Sequence, residues 1–143
     1  MDFFKKIAAI LLAVIAGSVM LSISDYILSV IYPLPDYILP EDKAGIAEHE
    51  ANTPVLVNVV RVVLWAVSGL VAGLVASVSA PVYKPTYAYF TGLIFLCASI
   101  FYVVTHHSAW WIWVAAFITW IPGAHVGYLM AAKFRRFLHG RSA

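Results

Sequence analysis

Charge is what this sequence has least of. Only 11% of its 143 residues are Asp, Glu, Lys or Arg, against about 25% in ordinary soluble domains. A single cysteine, Cys97, excludes an internal disulfide and any cysteine-based zinc cluster. A net charge of +2 on so apolar a chain excludes nucleic acid as the expected partner. There is no Gly-rich phosphate loop, no nucleophile elbow, no HExxH and no pair of carboxylates within an apolar run. Nothing assembles a nucleophile, a base and an oxyanion donor, so an enzyme is the least supported class and no cofactor is expected.

Apolar residues fill the space that charge leaves. They make up 63% of the chain, and the mean hydropathy is +0.90. A domain this small cannot bury such an excess, which points to a polytopic membrane protein whose first partner is the lipid bilayer. The charged residues leave four apolar stretches, at 7–32, 55–79, 87–105 and 110–132. Each can cross a hydrocarbon core of about 30 Å at about 1.5 Å per residue. The sequence therefore predicts an all-α fold: one transmembrane domain over 1–143, with four helices in a compact antiparallel bundle. Lys5 and Lys6 followed by IAAILLAVIAG resemble a secretory leader, with Val14 and Ala16 at cleavage positions. The apolar pattern continues past Gly17 to Tyr32, so a retained first helix is expected, tilted, kinked or protruding because of its length.

Positive residues give the orientation. With four spans, Lys5, Lys6, Lys84, Lys133, Arg135, Arg136 and Arg141 fall on one side. The other side carries Lys43 among Asp36, Glu41, Asp42, Glu48 and Glu50. Both termini are expected in the cytoplasm. Trp110, Trp111 and Trp113 mark the outer interface and Tyr83, Tyr87 and Tyr89 the inner one, at the depth amphipathic rings favour.

Lipid tails are as apolar as leucine, so helices in a bilayer associate through close packing and hydrogen bonds. Small residues recur every fourth position: Gly69, Gly73 and Ser77 in the second span; Thr119, Gly123, Gly127 and Ala131 in the fourth; Ala9, Ala13 and Gly17 in the first. These stripes predict intramolecular seams. The loop at 33–54 is stiffened by Pro33, Pro35, Pro40 and Pro54, and EDKAGIAEHEA within it predicts a short surface helix over the outer mouth of the bundle. A loop of this length is more often functional than a bare connector.

Ionisable groups inside the spans cost the most to keep. Asp25 and Arg61 both lie about two turns from the outer ends of antiparallel helices, so their depths match. Ser18, Ser22, Asp25 and Ser29 form one polar stripe; Asn58, Arg61, Trp65 and Ser68 form another. The stripes are expected to face each other, with Asp25 paired to Arg61 and Asn58 alongside. A static ion pair that fixes helix register is the favoured role, ahead of a proton or substrate path. His125 follows Pro122, whose missing N–H frees the carbonyl of Ile118 and is expected to kink the fourth span. It points about 200° from the small-residue stripe, so this helix has two occupied faces, and a hydrogen-bonded packing role is expected. His106 and His107 could meet His49, Glu48 or Glu50 around a metal, or sense protons. Adjacent histidines diverge, however, so helix capping is the favoured role and no metal is expected. Lys133 to Leu138 form a basic amphipathic tail suited to anionic headgroups and read as a topological anchor.

The pattern resembles a family of small, uncharacterised four-helix membrane proteins of bacteria. The resembling pieces are PLP at Pro33 to Pro35, the acidic loop with Asp42, TP at Thr53-Pro54, SGLVAGLVAS from Ser68 to Ser77, HSAWW from His107 to Trp111 and PGAHVG from Pro122 to Gly127. The resemblance implies the four-helix fold and an inner-membrane address, and brings no activity with it. Three functions remain in play. A non-enzymatic structural or accessory subunit, joined to a larger membrane protein or to itself as a homo-oligomer, is favoured. A small oligomeric transporter or channel using Asp25, Arg61, Asn58 and His125 is the rival. An external metal or pH sensor built on the histidines is the third.

Overall fold

The computed structural model describes residues 2–82, 84–105 and 109–140. Expectations that fall on Tyr83, His106, His107 and Arg141 lie outside the described residues. Among the described residues there are five helices: α1 Asp2–Ile31, α2 Lys43–Ala51, α3 Val55–Ser79, α4 Thr86–Thr105 and α5 Trp110–Gly140. Four of them, all but α2, are long and apolar enough to cross a membrane, and they pack against one another as a multi-pass membrane protein requires. α3 and α4 match the predicted spans to within a residue. α1 starts five residues earlier than expected, and α5 runs eight residues further. Hydropathy stops at the first charges, but Lys and Arg are good helix formers, so the helices continue through them.

Prolines set most of the boundaries. A residue before proline is pushed out of the α region, which ends α1 at Ile31 ahead of Pro33 and α3 at Ser79 ahead of Pro81. Pro54 precedes α3 with φ −57° and ψ 144°, an extended conformation. The short α2 lies in the predicted loop and starts on Asp42, whose Oδ1 accepts from the Gly45 N–H at 3.0 Å. Pro122 sits inside α5 without interrupting it.

Consecutive spans run antiparallel, which makes α3 and α5 parallel, and these two form the most extensive contact. Their seam is backbone on backbone. A Cβ added at Gly73 would meet the Ala124 Cα at 2.6 Å, and one at Gly127 would meet the Leu74 nitrogen at 2.6 Å. Gly69 faces Trp120 and Gly123 faces the Ala66 carbonyl at 3.0 Å. The predicted stripes are thus real seams, and they join the second and fourth spans. α1 packs on α3 through Ala9, Ala13 and Gly17, with Gly17 admitting the edge of the Phe95 ring. α4 closes the bundle on α5 and α3, bringing Gly92 against Ala124.

Between the α3/α5 seam and the α2 end lies an aromatic core that the sequence reading did not assemble. Trp120 is 1% exposed and stacks on Phe95 at 5.0 Å and on Trp65 at 6.2 Å. Tyr102 meets Trp65 edge-on at 6.2 Å. Trp110 is 78% exposed, as an interfacial anchor should be, whereas Trp111 and Trp113 are half-buried against this core. At the opposite end of the bundle, the Arg135 Nη2 donates to the carbonyls of Ser77 at 3.0 Å, Val78 at 2.9 Å and Ala80 at 3.3 Å. A helix ends on carbonyls without intrahelical partners, and a guanidinium from α5 satisfies three of them here. The basic tail is therefore also a cap for α3.

Candidate functional site

The polar groups gather at the α2 end. Arg61 stands two turns into α3, half-buried. Its Nη1 donates to Asn58 Oδ1 at 3.0 Å, one turn earlier on the same helix. Its guanidinium carbon lies 5.8 Å from the centroid of the Tyr102 ring on α4, a cation–π distance. Three cavities meet at these two residues. The largest, about 370 Å³, is lined by Asp25, Tyr32, His49, Glu50, Arg61 and Tyr102 among others. A deeper one of about 130 Å³ reaches Trp65, Ser99 and Trp120. A third of about 90 Å³ lies between Glu50, Asn58, Arg61, Tyr102 and Trp111. Together they form a vestibule with polar groups set in a largely apolar wall, and it narrows onto the indoles of the core.

α2 roofs this vestibule. It buries none of its own residues, and its attachment runs through His49, which stacks face to face on Tyr32 at 4.3 Å and 8°. The Tyr32 hydroxyl also reaches the His49 carbonyl at 3.4 Å. The predicted surface helix is present, and it brings Ile46, His49 and Glu50 to the cavity wall.

The expected facing of the two polar stripes needs correction. On α3, Asn58, Trp65 and Ser68 are buried as predicted. On α1, Ser18, Ser22 and Ser29 are exposed, and the buried serine is Ser24. Two stripes on α1 compete for the interior, and the one with the smaller side chains wins because it permits closer approach. The serines forfeit little by facing out. Ser22 Oγ donates to the Ser18 carbonyl at 3.0 Å and Ser29 Oγ to the Tyr26 carbonyl at 2.7 Å, both within α1.

The pairing of Asp25 with Arg61 changes accordingly. Asp25 follows Ser24, so it sits about 100° around the helix from the buried face, exposed at the vestibule's edge. It lines two of the three cavities that Arg61 lines and lies within its electrostatic reach. Among the described residues, no ion pair within 4.0 Å joins the two. Arg61 is held by Asn58 and Tyr102 instead. Tyr102 was missed because nothing in the sequence separates it from the other tyrosines of the spans.

His125 lies elsewhere. It is half-buried between α4 and α5, with Nδ1 2.7 Å from the Tyr89 hydroxyl and its ring parallel to Tyr89 at 5.7 Å. This fits the hydrogen-bonded packing role and the two occupied faces of α5, and it leaves His125 outside the vestibule. The metal candidates His106 and His107 lie outside the described residues. Among the described residues no three His, Cys, Asp or Glu side chains gather into a ligand set around His49. No protein-family model, curated protein or solved structure matches the chain.

Proposed function

We propose that the protein is a non-enzymatic, multi-pass protein of the bacterial inner membrane that takes a small polar solute into the vestibule around Arg61, as a small transporter would. Its orientation follows from the lysines and arginines, which put both ends of the chain in the cytoplasm and open the vestibule to the outside. The observation that carries the reading is the convergence of three cavities on Arg61 and Tyr102. A charge inside a span costs at least about 2.5–3.5 kcal/mol on insertion scales and marks a pathway or site by default. A purely static register device would tie Arg61 to a carboxylate; here the guanidinium borders open space, with Asp25 across it. Groups of both signs around about 370 Å³, roughly a dozen water volumes, suit a small zwitterion of amino-acid size.

Uptake of radiolabelled glycine and alanine into proteoliposomes, with proton flux read in parallel, tests this. Arg61→Gln is expected to lower flux at least tenfold while the detergent-solubilised protein keeps its unfolding midpoint within a few degrees. Flux no higher than in protein-free vesicles, from folded wild-type protein, would overturn the proposal.

One observation favours the accessory-subunit reading as the second choice. Ser18 and Ser22 stand exposed on the outside of α1, and small residues on a membrane helix allow a neighbouring helix to approach closely. Affinity purification in native lipid followed by mass spectrometry addresses it, and a stoichiometric larger membrane protein is the result that reading requires.

A further inference from the structure

We propose that the groove between α3 and α5 at the end opposite α2 is a binding site for one anionic glycerophospholipid, with an acyl chain in the groove and the phosphate at Lys133. The proposal rests on the membrane location of the four spans and is independent of the vestibule.

The site follows from a change of residue size along the α3/α5 seam. Through Gly73 and Gly127 the two backbones touch. Beyond that contact the facing side chains become Leu74, Val75 and Val78 on α3 and Met130 and Phe134 on α5, and a cavity of about 640 Å³ opens between them. Its wall is almost wholly hydrocarbon, so water there would lack the two to four polar partners it needs. A hydrocarbon chain has no such requirement and recovers the packing that an empty groove forgoes.

The headgroup preference comes from what lies at the rim. Met130, Lys133 and Phe134 recur at helical spacing on one face of α5, so the lysine is carried on the same face as the apolar wall. Lys133 is exposed. Arg135, two residues on, points to the end of α3 and is committed to its carbonyls. This end of the bundle also carries Lys5, Lys6, Lys84 and Arg136 against the single acid Asp2. Such a field attracts a phosphodiester with net negative charge over a zwitterionic choline headgroup.

Native mass spectrometry of the full chain decides the matter. The protein is delipidated in neutral detergent and titrated with phosphatidylglycerol or phosphatidylcholine of identical acyl chains. One phosphatidylglycerol per chain is expected, favoured about fivefold over phosphatidylcholine, the effect of one basic side chain near an anionic headgroup. Lys133→Gln should bring the two lipids to near parity without abolishing binding. Val75→Trp, which fills the groove, should weaken both; if that variant fails to fold, Lys133→Gln alone decides. Equal binding of the two lipids by the wild type, an unchanged preference in Lys133→Gln, or lipid-free dimers in which a second copy covers the groove would each overturn the proposal.

Discussion

Two neighbouring stretches of the α3/α5 pair are built on opposite plans. Around Gly73, Gly123 and Gly127 the helices meet backbone to backbone. Toward α2 the space beside the same two helices is filled by Trp65, Trp120, Tyr102 and Arg61, and cavities open among them. In a bilayer, contact is gained by packing and hydrogen bonding rather than by escape from water. The glycine seam therefore anchors the bundle, and the aromatic end is free to keep polar groups and space. Rigidity and chemistry are segregated along one helix pair.

The sharpest way to break this contrast is to put a side chain into the seam. Gly73→Leu places its branch on the Ala124 backbone, which cannot retreat without moving α5. A loss of about 3 kcal/mol or more is expected, read as a collapsed unfolding midpoint in detergent. Gly17→Ala should be milder, because the obstructing group is the edge of the Phe95 ring. A midpoint unchanged by Gly73→Leu would mean that the seam is not the anchor.

Next in size is the cap between the terminal tail and α3. Arg135→Ala strips one donor group from three carbonyls, and bonds to a charged group contribute about 1.5–3 kcal/mol. Faster hydrogen exchange confined to the last turn of α3 is the expected signature. Uniform exchange along α3 would show the contact to be incidental.

The smallest effect sharpens the polar end. A double-mutant cycle on Asn58→Ala and Arg61→Gln should show coupling of about 0.5–1.5 kcal/mol, since the two share a hydrogen bond. The cycle on Asp25→Asn and Arg61→Gln should add to within about 0.5 kcal/mol, because no direct ion pair joins that couple. Strong coupling between Asp25 and Arg61 would restore the static pair.

Much of this architecture was legible in the sequence, and the limits have physical reasons. Four spans, the surface helix and the small-residue seams follow from charge spacing, proline placement and a four-residue period. Asp25, Asn58 and Arg61 were found because ionisable and amide groups inside apolar runs stand out. Which face of α1 turns inward was not decidable from its pattern alone, since Ala9, Ala13 and Gly17 and the serine stripe both repeat at helical spacing. The capping role of Arg135 and the place of Tyr102 beside Arg61 escaped notice for a related reason. Each acts on a helix far away in the chain, and its role exists only once α3 and α5 lie parallel and α4 covers them.

Gly69 has one more consequence. Its missing side chain lets the Trp120 ring settle within 3.2 Å of where a Cβ would stand, and the indole becomes the floor under Arg61. Below that floor comes the glycine weld, with nothing between the two backbones. On the proposed transport reading the vestibule is a cup, whose deeper cavity ends against Trp65 and Trp120.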